Sequence, residues 1–361
     1  MNEKKYLTAV YSFSYFGPKR TKLLTSFFGS AQKVWHADKK SLLSLGLKEN
    51  VVQKFIDYRK NFNLESYFNR LKKLSVNFTV IEDKDYPENL KGLSDAPLVL
   101  YYRGTLKRSD KNAVAIVGSR KITSYGREVT KKFASELALF GITVVSGLAF
   151  GIDVTAHEAC LAAGGRALAV LASGLDLVTP ISNTWLGEKI IASGGAIVSE
   201  HPLGYRPNKS DFPERNRIIS GLSRAVLVVE GARKSGTLHT ASHAAEQGVA
   251  VFAVPGQIFS PMSEAPHFLI QNGAKLATST RDILDELDLQ LKVDIETLEK
   301  VMPEGENEAK ILKILTNEPL HLDEIVRISN LRSVEVFAKL TVMELKGLIK
   351  NIGNGIYKRV L

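Results

Sequence analysis

The chain has 361 residues, room for two or three domains, and its 44% hydrophobic and 24% charged content fits a globular protein with a sizeable core. A single cysteine, Cys160, excludes an internal disulfide framework and a multi-cysteine metal site; no apolar run reaches bilayer length, and MNEKKYLTAVYSF has no secretory pattern, so a reducing cytoplasm is expected. The net charge of +10 lies in the first fifth of the chain, where residues 1–75 hold 15 Lys/Arg against 5 Asp/Glu; such concentration fits a polyanion partner such as nucleic acid, or else a solvated basic surface.

Residues 1–75 read as a small all-helical domain. Gly17-Pro18-Lys19-Arg20 opens a helical pattern through Leu23, Leu24 and Phe27, and Ser44-Leu45-Gly46-Leu47 opens another through Val51, Val52, Phe55 and Ile56. Two helices, each entered from a turn glycine, resemble a helix-hairpin-helix (SAM-like) module, which presents backbone amides to phosphates. Lys19, Arg20 and Lys22 are then candidate DNA contacts, although such a turn is also plain structure.

Residues 76–288 read as a Rossmann-like, doubly wound parallel α/β domain. Phe78 to Ile81 and Pro97 to Tyr102 are strand candidates at its start. Ala113 to Val117 is a short apolar run closed by Gly118-Ser119-Arg120, the pattern of a strand buried on both faces. A helical stripe of Val129, Phe133, Leu137 and Phe140 follows, Gly141 ends it, and Ile142 to Val145 is the next strand. Further strands are expected at 167–172, 196–199, 225–230 and 250–254, with a short one near 275–278. Each main strand ends in Gly, Ser or Glu, which lines one edge of the sheet with small polar residues.

Residues 289–307, polar and acidic with Pro303 and Gly305, read as a linker. Residues 308–361 read as a winged-helix domain: helices over 309–315, 320–328 and 334–345, then a hairpin turning at Asn354-Gly355. Its third helix carries Arg332, Lys339 and Lys346, and both DNA and protein are open as partners.

Standard nucleotide signatures are missing. There is no P-loop, and the first β-α turn is GSRKITSYG instead of a dinucleotide fingerprint. Cations gather instead at the expected crevice: Arg120, then Lys209, Phe212, Arg215, Asn216 and Arg217 in NKSDFPERNRIISGL, then Arg233 and Lys234 ahead of Ser235-Gly236. Charge that tracks a backbone and a ring that stacks on a base are what single-stranded nucleic acid uses. The alternatives are a core position for Phe212 and a salt-bridge network for Arg215 and Arg217. Asp153 is expected to cap its helix and His157 to pack or hydrogen-bond. Glu200 and Glu230 are expected to hold neighbouring arginines, with acid–base catalysis as the other use.

The motifs VAIVGSR, SYG, VVSGLAFGID, AVLASGLD, IVSE, FPERNRIISGLS, VVEG, SGTLHTA and VFAVPG follow one another in an order that resembles the DNA-processing protein A (DprA/Smf) family. Thr179-Pro180 and PMSEAPHFLI depart from the family's usual pattern. The resemblance implies a cytoplasmic, non-enzymatic homodimer without cofactor or metal. It implies binding of single-stranded DNA, and more weakly double-stranded DNA, protection of incoming DNA, and loading of RecA recombinase during natural transformation. The family's DNA-pocket positions fall on Arg120, Lys209 and Phe212. With the crevice reading, the candidate DNA-binding set is Gly118, Ser119, Arg120, Ser146, Gly147, Lys209, Phe212, Arg215, Asn216, Arg217, Lys234, Ser235 and Gly236. The alternative is a Rossmann-like nucleotide-processing enzyme such as a nucleoside-monophosphate phosphoribohydrolase, whose P-G-G-x-G-T loop has only Pro255-Gly256-Gln257-Ile258 as its nearest match here.

Overall fold

The computed structural model describes residues 2–233, 235–287, 306–315, 318–345, 348–353 and 355–360. It divides into two compact units, Met1–Lys292 and Val293–Leu361. Most of the expected linker, 289–305, lies outside the described residues, as do Lys234, Lys346 and Asn354. Among the described residues no helix is long and apolar enough to cross a membrane.

The first unit begins with six helices: α1 (Asn2–Tyr11), α2 (Pro18–Phe28), α3 (Ala31–His36), α4 (Lys39–Ser44), α5 (Glu49–Asn61) and α6 (Leu64–Lys73). Side-chain caps set the starts of α3, α4 and α6, with Ser30, Asp38 and Asn63 accepting from the amides of Lys33, Ser41 and Ser66. Gly46, at φ 76°, supplies a left-handed turn before α5. Phe13, Phe16 and Phe55 pack at ring distances of 4.8–5.2 Å as the centre of a local aromatic core. Leu7, Tyr11, Ala31 and Leu71 instead bury into the core of the sheet that follows.

That sheet has nine strands: β1 (Asn77–Val80), β2 (Val99–Gly104), β3 (Ala113–Val117), β4 (Thr143–Ser146), β5 (Ala167–Val170), β6 (Ala196–Ser199), β7 (Ala225–Val228), β8 (Ala250–Ala253) and β9 (Lys275–Leu276). Between them lie α7 (Glu88–Lys91), α8 (Ser124–Leu139), α9 (Ile152–Ala162), α10 (Thr184–Ala192), α11 (Asp211–Gly221), α12 (Thr237–Glu246), α13 (Glu264–Gln271) and finally α14 (Thr280–Glu286). The strand order is β1-β2-β6-β5-β4-β3-β7-β8-β9, antiparallel only where β2 meets β1 and β6. This is a Rossmann-like α/β sheet with an antiparallel edge. Burial on both faces is visible in β3, where Val114 and Ile116 enter one core and Ala113, Ala115 and Val117 the other. The chain winds from β3 out to β6 and then returns to place β7 against β3, with Ile116 opposite Leu227. The order reverses at β3/β7, and the crevice beyond the carboxyl ends of these two strands is where an open α/β sheet offers a binding place.

The second unit holds α15 (Glu306–Ile314), β10 (Leu320–His321), α16 (Leu322–Ser329), α17 (Ser333–Leu345), β11 (Ile349–Asn351) and β12 (Ile356–Arg359) around Ile311, Ile325, Leu340 and Met343. Three helices with a β-hairpin make a winged helix. The helix expected from Leu320 begins two residues later. Leu320 and His321 pair with Tyr357 and Ile356 as a third strand, and His321 then caps α16. The first helix starts at Glu306, ahead of the expected Ala309.

Candidate nucleic-acid crevice

A cavity of about 610 Å³ opens at the β3/β7 switch point. Gly118, Ser119 and Arg120 enter it from β3, Lys209, Phe212, Arg215 and Asn216 from the start of α11, and Ser235 and Gly236 from the start of α12. Nine of the sequence-predicted residues are thus brought to one place. The Arg120 guanidinium lies 5.2 Å from the centroid of the half-buried Phe212 ring. This cation–π pair fixes two flexible side chains as one platform at the crevice.

The loop carrying Lys209 is anchored from both sides. The carboxylate of Asp211 accepts from the amide of Asn208 at 2.6 Å and from the Tyr205 hydroxyl at 2.9 Å, and Tyr205 stacks on His201 at 3.9 Å. Asn216 donates to the carbonyl of Gly236 at 3.4 Å, tying α11 to the start of α12.

Beneath this rim lies a buried polar layer. Arg215 is 5% exposed and donates to the carbonyls of Gly147 (2.7 Å) and Val170. Burial pulls its guanidinium down to about 10, against the attraction of Asp153. A Cβ at Gly147 would stand 2.5 Å from that guanidinium, so a larger residue there would displace Arg215 from its carbonyls. Asp153 accepts from the amides of Gly147 (3.0 Å) and Ala149 (3.3 Å), and burial holds its carboxyl above the usual range. It was expected to cap α9, but the N-cap position is Gly151, and Asp153, inside the helix, ties the preceding loop instead. Gly151 is required by contact: its φ is 78°, and a Cβ would strike the backbone of Ser119 and Arg120. Leu148 has φ 56°, a left-handed conformation costing about 1–3 kcal/mol in a branched residue, and the Asn183 side chain holds its carbonyl at 2.8 Å. His157 is fully buried, with no partner for either ring nitrogen among the described residues, and burial pulls it down to about 3. Packing, of the two uses expected for it, is the one found. Cys160 is likewise buried.

Three predicted residues sit apart from the cavity lining. Ser146 is fully buried and donates to the Ile116 carbonyl at 2.7 Å, joining β4 to β3. Gly147 presents backbone to Asp153 and Arg215, as described above. Arg217 pairs with Glu200 at 2.5 Å and Asp95 at 3.4 Å; burial opposes its charge, but Glu200 raises it overall. Glu200 therefore holds an arginine as expected. Glu230 does not: its carboxylate accepts from the amide and hydroxyl of Thr123 at 3.1 and 2.5 Å, at the N-terminus of α8, where a negative charge suits the helix dipole. Lys19, Arg20 and Lys22 are exposed on α2, with Arg20 donating to the Tyr15 carbonyl at 2.5 Å, and none lines the cavity.

Lys121, Asp153, Thr240 and Met262 also line the crevice and were not in the predicted set. Lys121 was legible beside Arg120. Met262 was not, because it arrives through the contact of its carbonyl with the Gly231 amide at 2.7 Å, which joins segments 31 residues apart. Among the described residues no group of three or more His, Cys, Asp and Glu is placed to hold a metal.

Comparison with known proteins agrees with this architecture. Residues 77–288 match the model of DNA recombination-mediator protein A, and residues 300–355 match the DprA winged-helix domain. The chain is 34% identical to Protein Smf of Synechocystis, over 99% of both chains, and 36% identical to Protein Smf of Escherichia coli, over 89% of this chain and 87% of that one. Among solved structures it is similar to DNA processing protein A of Streptococcus pneumoniae, with TM-score 0.59 and 38% identity over 66% of this chain and 82% of that one. It is also similar to the Helicobacter pylori protein described for its single-stranded DNA binding mode, with TM-score 0.52 and 30% identity over 58% of this chain and 95% of that one. The winged-helix unit, the switch-point sheet and these matches together show that the chain belongs to the DNA recombination-mediator protein A (DprA/Smf) family.

Proposed function

We propose that the β3/β7 crevice binds single-stranded DNA and that the protein, as a homodimer, delivers it to a RecA-type recombinase. The observation that carries this reading is the Arg120–Phe212 pair at the crevice, a cation and a ring within one contact of each other. Arg120 and Lys209 take phosphates, the face of Phe212 takes a base, and the amides at the start of α12 add hydrogen-bond donors. Stacking has little sequence preference, which suits a protein that handles strands of any sequence. The Helicobacter pylori relative's single-stranded DNA binding mode supports the same use of this domain. Ile258 and Phe259, 79% and 92% exposed beyond β8, supply apolar surface for a second copy to cover.

The test is recombinase filament formation on single-stranded DNA. Parent protein is expected to shorten the nucleation lag, and the Arg120→Ala/Phe212→Ala variant, at unchanged melting temperature, is expected to leave it as it is without mediator. Equal stimulation by both proteins would overturn the assignment.

A further inference from the structure

A second cavity, of about 640 Å³, opens at the other end of the sheet. Its lining includes Lys111 just ahead of β3, Leu168 near the start of β5 and Leu222 ahead of β7. It therefore faces the amino ends of the strands, whereas the crevice faces their carboxyl ends.

Its charge is unbalanced. Lys84, Lys91, Lys107, Arg108 and Lys111 line it against three carboxylates, Asp85, Glu88 and Asp110. Asp110 is already engaged: Arg166 pairs with it at 2.5 Å, and the Lys107 amide and Thr143 hydroxyl donate to it at 2.8 and 3.1 Å. Lys91 is held by the Asp83 carbonyl at 2.8 Å. Lys84, Lys107, Arg108 and Lys111 are exposed and make no ion pair among the described residues. The frame beneath them is fixed, because Asn89 bridges the carbonyls of Lys111 and Leu222 at 3.0 Å each and the Tyr86 hydroxyl donates to Pro97 at 2.6 Å. The four unpaired cations outnumber the two remaining carboxylates, Asp85 and Glu88, so this rigid concavity keeps a net positive charge that a multiply charged anion neutralises. Its volume, about 640 Å³, lies within the range of small-molecule sites.

We propose that this cavity is a second phosphate-binding site, taking the phosphates of a nucleotide or of a nucleic-acid strand. The proposal does not rest on the function assigned to the crevice. Calorimetric titration of the full chain with inorganic triphosphate at low salt tests it. Binding is expected to persist in Arg120→Ala/Phe212→Ala, which removes the phosphate contact assigned to the crevice, and in that background Lys107→Glu/Arg108→Glu is expected to weaken it by about tenfold or more, losing two charge-assisted contacts and gaining two repulsions. If that variant melts early, Lys84→Glu/Lys111→Glu serves in its place. No binding to the parent, unchanged binding in the charge-reversed protein, or loss already complete in Arg120→Ala/Phe212→Ala would each overturn the proposal, the last by moving the phosphate to the crevice. Competition on the Arg120→Ala/Phe212→Ala protein identifies the source. Displacement of triphosphate by an oligothymidylate assigns the site to a strand, and displacement by dATP alone assigns it to a free nucleotide; either result supports the phosphate site.

Discussion

Arg120 and Arg215 both reach the crevice, yet their surroundings set them to different work. Arg120 is exposed and leans on a ring, whereas Arg215 is buried against backbone carbonyls and faces Asp153. Arg215→Ala is expected to cost about 3–5 kcal/mol, because it leaves Asp153 buried without its counter-charge. Arg120→Ala is expected to stay within about 0.5 kcal/mol of the parent. Thermal unfolding of the two variants checks the contrast, and a parent-like Arg215→Ala would return that residue to the surface. His157 adds a pH dependence. Its folded-state value near 3 lies below its ordinary 6.5, so the unfolded chain binds a proton that the folded chain refuses. Stability from this group is full above pH 6.5 and is lost as pH falls toward 3. The loss amounts to about 2 kcal/mol at pH 5 relative to pH 7.5. Denaturant midpoints of the parent and His157→Gln across that range are expected to converge as pH falls.

The helices at the N-terminus belong energetically to the sheet. Leu7, Tyr11, Ala31 and Leu71 lie in its core, and the Tyr11 hydroxyl donates to Glu200 at 3.1 Å, the carboxylate that pairs with Arg217 of α11. Deleting residues 1–75 is therefore expected to expose apolar core and lower the melting temperature by many degrees. That makes truncation a poor probe of the basic surface. Charge reversal at the exposed Lys19, Arg20 and Lys22 is the cleaner probe: an unchanged melting temperature and weaker DNA binding with a flatter salt slope are expected. Binding that does not change would make α2's charge a solvated surface. Elements with strong periodicity were the ones legible in the chain. The strand over Ala113–Val117 and the helix over Ser124–Leu139 follow from apolar runs, a threonine cap and Gly141. The Leu320–His321 strand was not legible, since two residues carry no periodicity and its partner lies 35 residues away.

For the molecule as a whole, strand–helix alternation was readable but strand order was not. Nothing local announces that β7 returns to β3, yet that return brings Gly118, Phe212 and Gly236 around one crevice. The residue types at the site were readable because glycine, cations and an aromatic ring stand out beside apolar strands. Their division of labour was not, because burial separates Arg120 from Arg215, and the partner the fold supplies separates Glu230, on Thr123, from Glu200, on Arg217; both are tertiary properties. The central claim is that phosphates meet Arg120 and Lys209 while a base meets Phe212. It is tested most directly by the salt dependence of oligothymidylate binding to the parent and three single variants. Arg120→Ala and Lys209→Ala are each expected to flatten the log–log slope by about 0.7, one phosphate contact apiece. Phe212→Ala is expected to lose about 1–3 kcal/mol of affinity at an unchanged slope. A Phe212→Ala protein that binds like the parent, or slopes that all three variants leave untouched, would contradict the account.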